Sequence, residues 1–82
     1  MMTTPVPGFP RITHNPQVMG GKACIRGMRV TVSMVLRELA AGTKQEELLA
    51  NFPYIEAADI AECLRYAAWL ASDQVFNFND AA

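Results

Sequence analysis

The chain has 82 residues, of which 51% are hydrophobic, and a formal net charge of −1 at pH 7. A chain of this length is expected to form one domain with a small core. Because so small a core cannot hide half of the residues, we expect part of the apolar surface to lie in an interface, as in a homodimer or a complex.

The N-terminal part of the chain combines turn residues with short segments of strand character. Residues 1–10 contain three prolines and a glycine and predict an irregular arm. Residues 11–13 predict a short strand, which the turn residues Asn15 and Pro16 end. Residues 23–26 and 28–32 predict two further strand pieces, with a turn or bulge at Gly27. So short a β segment is not expected to form a sheet that stands alone.

Two helices joined by a tight corner are predicted next. Ser33 is a suitable N-cap for a first helix, and Gly42 is a suitable stop for it. Thr43 and Glu46 have the spacing of a capping box, which predicts a second helix that ends before Pro53. The short corner between these helices is typical of a helix-turn-helix.

A third helix is predicted over residues 57–72, with Glu56 at its N-cap. With 100° between successive residues, one side of this helix is a stripe of apolar side chains that should face the core: Ile60, Leu64, Ala67, Ala68 and Ala71. The acidic residues of the first turns are interpreted as an exposed side that complements the helix dipole: Glu56, Asp59 and Glu62.

Several aromatic and apolar residues near the C-terminus lie off this core stripe. Large aromatic side chains are frequent anchors of protein interfaces. We therefore predict a partner interface formed by Tyr66, Trp69 and Leu70 on the helix, with Phe76 and Phe78 on a C-terminal tail of residues 74–82. The alternative is a half-exposed aromatic pair that covers the tail.

The charged residues are divided between the two halves of the chain. Residues 38–82 carry two positive and eight negative side chains. Residues 1–37 carry no acidic residue and five basic ones, which we predict to be DNA-binding residues: Arg11, Lys22, Arg26, Arg29 and Arg37. A structural alternative stays open, in which Arg26 and Arg29 pair with helix carboxylates and hold the β segment in place.

The most specific part of the sequence is the run from Gly20, Gly21 and Lys22 through Ile25-Arg26-Gly27-Met28-Arg29-Val30 to Val32. Together with the turn at Asn15 and Pro16 and the end of the second helix at Phe52 and Pro53, this run resembles family 433 of the domains of unknown function. The resemblance covers about residues 11–71. Two positions depart from the family's usual pattern, Ala23 in place of proline and Glu56 in place of threonine or serine.

The resemblance implies a mainly α fold, namely a three-helix, homeodomain-like helix-turn-helix bundle with a short N-terminal β segment. Residues 11–73 would form this domain. The resemblance also implies a VapB-like antitoxin that neutralises a neighbouring PIN-like ribonuclease toxin, binds operator DNA and represses the shared operon. The alternative is a dimeric helical adaptor that binds proteins and not DNA.

Catalysis is not expected from this sequence. His14 has neither a paired acid nor a second metal ligand at a suitable spacing, and Gly20-Gly21-Lys22 lacks the frame of a phosphate-binding loop. Cys24 and Cys63 are interpreted as small buried apolar residues. We expect no cofactor and no metal. With no signal peptide and no membrane span, a cytoplasmic protein is expected.

Overall fold

The computed structural model describes residues 3–72. Its strands are β1 (Thr4–Val6), β2 (Phe9–His14) and β3 (Cys24–Ile25), and a single 3-10 turn at Met19–Gly21 precedes β3. The helices are α1 (Val32–Ala40), α2 (Gln45–Asn51) and α3 (Ala57–Ser72). The strands form one antiparallel sheet in the order β1-β2-β3.

The fold is therefore α+β, and the prediction of a mainly α, three-helix homeodomain-like bundle is wrong. The part of the chain predicted as an irregular arm contributes β1 and the start of β2. β1 pairs with β2 through Thr4 opposite His14 and Pro5 opposite Thr13. A proline is tolerated in β1 because this strand lies at the edge of the sheet, where one side needs no backbone donor.

A tight turn after β3 explains why Gly27 lies between the two predicted strand pieces. Arg26 and Gly27 have φ values of 46° and 74°, and the Met28 N–H donates to the Ile25 carbonyl at 2.8 Å. Two successive positive φ values are the pattern of a type I′ turn. The returning segment makes only a bridge from Thr31 to Cys24, so the strand predicted over residues 28–32 does not form.

The three helices lie where the sequence predicted them, but two of their starts differ. The cap of α1 is Thr31, whose hydroxyl accepts a hydrogen bond from the backbone N–H three residues on at 3.0 Å. Ser33 is instead inside the helix. The cap of α2 is Lys44, without a side-chain hydrogen bond, and the Thr43 hydroxyl donates to Glu38 at 3.1 Å. The predicted capping box is therefore absent from these described residues.

The core lies between the sheet and the helices, with α3 contacting both β2 and α1. Of the predicted α3 stripe, Ile60 is buried, whereas Leu64 is 50% exposed. Cys63 and Tyr66 are buried in its place. Among the described residues, no helix combines the length and the apolar character that a membrane span requires.

Candidate binding groove and the ion-pair cluster beside it

A buried carboxylate joins the sheet to the start of α3. The Asp59 side chain has no exposed surface. Arg26 contacts both of its oxygens, with Nε 3.0 Å from Oδ1 and Nη2 2.8 Å from Oδ2. Arg11 adds a contact from Nη1 to Oδ1 at 2.9 Å, and the Glu56 N–H donates to Oδ2 at 2.8 Å. We call Arg11, Arg26, Glu56 and Asp59 the ion-pair cluster.

The contacts within the cluster shift the pKa values of Asp59 and Arg26. Burial by itself raises the pKa of Asp59, but the hydrogen bonds from Arg26, the Glu56 backbone and Arg11 outweigh it and leave this pKa below its ordinary value. The pKa of Arg26 is raised, chiefly by its hydrogen bond to Asp59. Asp59 is therefore ionised at neutral pH, and the cluster is a structural clamp between chain segments that are far apart in sequence.

A second buried carboxylate lies one turn further along α3. Glu62 accepts a hydrogen bond from the Arg11 backbone N–H and forms an ion pair with Arg65 at 2.8 Å. The Glu62 side chain is only 8% exposed. The interpretation of Glu56, Asp59 and Glu62 as an exposed acidic side is therefore wrong for the last two, because polar backbone and arginine partners compensate their burial. Glu56 is exposed.

The five basic residues predicted to bind DNA fall into two groups. Arg11 and Arg26 are held in the ion-pair cluster, which confirms for Arg26 the structural alternative left open by the sequence. The other three are exposed and form no ion pair with any residue between 3 and 72: Lys22, Arg29 and Arg37.

The predicted partner surface is anchored on an aromatic cluster. Tyr66 is buried at 8% exposure, whereas Trp69 is 45% exposed and Leu70 is 44% exposed. The Phe9 ring centroid lies 5.3 Å from that of Tyr66 and 5.6 Å from that of Trp69. The Arg65 guanidinium stacks over Phe9 at 5.4 Å from its centroid. Phe9 was missed because it lies in the predicted arm. Phe76 and Phe78 lie outside the described residues.

An apolar groove of about 470 Å³ adjoins this surface. It lies between the end of β2, the residues just before β3, α1 and α3, and we call it the α1–α3 groove. Its walls are Ala23, Val32, Leu36, Tyr66, Ala67 and Leu70, with the polar residues His14, Lys22 and Ser33. His14 Nδ1 lies 2.8 Å from the Gly21 carbonyl, which can only accept, so Nδ1 carries a proton.

Neither cysteine has the environment of a reactive thiol. Both are buried and free. Burial, with smaller contributions from the charges of Asp59 and Glu62, raises the pKa of Cys63 to about 12. Burial also raises the pKa of Cys24, against the opposing charge of Arg29. Within residues 3–72, no three His, Cys, Asp or Glu side chains lie close enough together to hold a metal ion.

Comparison with known proteins places the chain in a family. A family model described as "Protein of unknown function (DUF433)" matches residues 12–67. The chain belongs to the DUF433 family. The segment that matches DUF433 contains Arg26 and Asp59, whereas Trp69 and Leu70 lie beyond it.

Two related proteins extend this result. A DUF433 member from Anabaena variabilis, solved by crystallography, is 32% identical with a TM-score of 0.71, over 77% of this chain and 62% of that one. An uncharacterised protein of Sinorhizobium fredii, y4eO, is 36% identical over 56 residues. That match covers 68% of this chain but only 25% of y4eO, so the DUF433 domain described here spans about a quarter of that relative.

Proposed function

We propose that this chain is the antitoxin-like component of a type II, VapBC-like toxin–antitoxin pair and neutralises a PIN-like ribonuclease toxin in the cytoplasm. The observation that carries the proposal is the exposed apolar end of α3. Trp69 and Leu70 are each nearly half exposed, and Leu70 also lines the α1–α3 groove. Exposed aromatic and aliphatic side chains beside an apolar groove are typical of a protein-binding surface.

The neighbouring contacts support a preorganised surface. Trp69 packs against Phe9 and lies 6.0 Å, between ring centroids, from Tyr66. Because these contacts restrict the indole before a partner arrives, binding costs less side-chain entropy than it would for a freely rotating residue. The ion-pair cluster holds β2, the strand that carries Phe9, against α3. It therefore also fixes the position of Phe9 beside Trp69.

The proposal predicts that a PIN-like nuclease is encoded beside this chain, and co-expression of the two proteins tests it. The wild-type chain should co-purify with the nuclease and inhibit its RNA cleavage. Trp69→Ala should weaken the complex by about 2 kcal/mol, which is roughly 30-fold in Kd. Leu64→Ala is a matched control, since Leu64 is 50% exposed on another side of α3. A nuclease that stays fully active beside a folded wild-type chain would contradict the proposal.

A second function, binding of operator DNA as a repressor, is supported by a separate observation. Arg29 and Arg37 are exposed and have no ion-pair partner within residues 3–72, so their charges are available to phosphates. In a homodimer each of these cations would occur twice. Arg11 and Arg26 are already paired with Asp59 and are not part of this second proposal.

A mobility shift on the upstream promoter at several salt concentrations tests DNA binding. Arg29→Ala and Arg37→Ala should each reduce the slope of log Kobs against log salt by about 1. Arg65→Ala is the control, because Arg65 is paired with Glu62 on α3. If the wild-type chain binds the nuclease but shows no salt-dependent DNA binding, the adaptor without a DNA role is the better description.

A further inference from the structure

We infer that the α1–α3 groove binds an amphipathic segment of the protein partner, which inserts apolar side chains between α1 and α3 and places a carboxylate beside Lys22. This inference rests on the proposed function and deepens it, since it states that the partner's bound segment carries apolar side chains and a carboxylate. It also moves Lys22 from the predicted DNA-binding set to the protein-binding site.

The course of α3 is the first argument. Leu70 follows Tyr66 by four residues and Cys63 by seven, so all three side chains lie on one face of the helix. Cys63 has no exposed surface and Tyr66 is 8% exposed, yet Leu70 is 44% exposed. The buried face of α3 therefore ends in an apolar residue that the described part of the fold leaves nearly half exposed.

The shape and lining of the groove are the second argument. Its volume of about 470 Å³ lies in the range of specific binding sites. The small side chains of Ala23 and Ala67 leave the space, and Leu36 and Leu70 form apolar sides. Because Leu70 is so exposed, the groove is open along one side. Such an open apolar groove between helices suits an amphipathic segment laid into it better than a small molecule that must be enclosed.

The charge of the groove is the third argument. None of its lining residues is acidic, and Lys22 is exposed with no ion pair to any residue from 3 to 72. His14 and Ser33 add hydrogen-bonding groups to the same lining. An apolar floor with one ammonium group at its edge is complementary to apolar side chains flanked by a carboxylate. A basic segment would place like charges together and is disfavoured.

Synthetic peptides test the groove without requiring the natural partner. One peptide of about four helical turns carries leucines at helical spacing and a flanking glutamate, and a matched peptide carries lysine there. In titrations of the isotope-labelled full chain followed by NMR, the acidic peptide should shift the amides of Lys22, Leu36, Ala67 and Leu70. It should bind about tenfold more tightly than the basic peptide. Equal binding of the two peptides, or shifts confined to other surfaces, would overturn the inference.

Two matched pairs of variants locate the binding. Leu70→Glu should lower the affinity for the acidic peptide at least tenfold, whereas Leu64→Glu, at a similarly exposed position, should leave it unchanged. Lys22→Glu should abolish or reverse the preference for the acidic peptide, whereas Lys44→Glu, at the N-cap of α2 and outside the groove lining, should not. Thermal unfolding checks that each variant is folded.

The nuclease complex separates failure of this inference from failure of the proposed function. If the wild-type chain does not bind the nuclease while the peptides behave as expected, the proposed function is wrong and the groove assignment holds. If Leu70→Glu binds the nuclease as well as the wild type does, the groove assignment is wrong and the proposed function holds. A concentration-dependent dimer that Leu70→Glu dissociates would assign the groove to a second copy of this chain and overturn the inference.

Discussion

Arg26 and Asp59 form a two-point ion pair between residues 33 positions apart, with both carboxylate oxygens in contact with one guanidinium. Arg26 belongs to the turn after β3, and Asp59 belongs to the first turn of α3. The same arginine also donates to the Tyr54 carbonyl at 2.8 Å, just before the helix. This pair therefore determines where α3 begins relative to the sheet.

Removal of the Asp59 carboxylate should destabilise the fold strongly. Asp59→Ala leaves two arginines without their shared partner and the Glu56 N–H without its acceptor. Because the arginines keep partial contact with water, we expect a loss near the lower end for a broken buried pair, about 3 kcal/mol in the free energy of unfolding. Urea denaturation measures it. Glu56→Gln, which removes the charge of the most exposed member of the cluster, should cost less than about 1 kcal/mol. Similar losses for the two variants would refute this account.

The stability of the protein should depend on pH through Asp59. Its pKa is lower in the folded chain than in the unfolded chain, because hydrogen bonds from Arg26, the Glu56 backbone and Arg11 outweigh the opposing effect of burial. The stabilisation is therefore complete above the unfolded pKa of about 3.9 and is lost as the pH falls through the lower folded pKa. Between pH 7 and pH 2.5, Tm should fall more steeply for the wild type than for Asp59→Asn. Parallel curves would show that Asp59 is not the responsible group.

Thr31, and not Ser33, should be the residue whose side chain stabilises the N-terminus of α1. Thr31→Ala removes the side-chain acceptor for the first turn and should lower the free energy of unfolding by about 1 kcal/mol. Ser33→Ala, inside the helix and exposed, should change it by less than about 0.5 kcal/mol. Chemical denaturation of both variants checks the order, and a larger loss for Ser33→Ala would reverse the assignment.

Cys63 should be inert towards thiol reagents in the folded protein. Its pKa of about 12, raised by burial first and by the charges of Asp59 and Glu62 second, leaves almost no thiolate at pH 8. In a Cys24→Ser variant, labelling by an aromatic disulfide should be slow in buffer and should accelerate in urea together with unfolding. The Asp59→Ala substitution should also accelerate the labelling of Cys63, because it destabilises the fold. Rapid labelling under native conditions would contradict the burial of this thiol.

Local signals in the sequence were sufficient for several elements. The helical spacing and flanking residues predicted α3 over residues 57–72, where the structure has it, and Gly42 follows α1 with a φ of 96° that favours glycine. The residues of β2 and the run around Gly27 were also sufficient to indicate the family. These features depend on neighbours a few positions away, so they can be inferred without knowing the fold.

The burial of α3 could not be inferred in this way. The helix is apolar on more than one side, so its spacing did not decide between Leu64 and Tyr66 as the buried residue. Asp59 and Glu62 were predicted to face solvent and complement the helix dipole. Their burial is compensated by Arg26 for Asp59 and by the Arg11 backbone N–H for Glu62, which lie in a distant part of the chain.

The sequence alone determined the approximate positions of the helices, the existence of a β segment and the concentration of basic residues before residue 38. Only the tertiary structure decided which of those basic residues remain available for binding. Arg11 and Arg26 form ion pairs with Asp59 in the ion-pair cluster, whereas Lys22 lines the α1–α3 groove. The physical reason is that charge acts through space, and the distances between these groups are determined by the packing of the sheet against α3 rather than by their spacing along the chain.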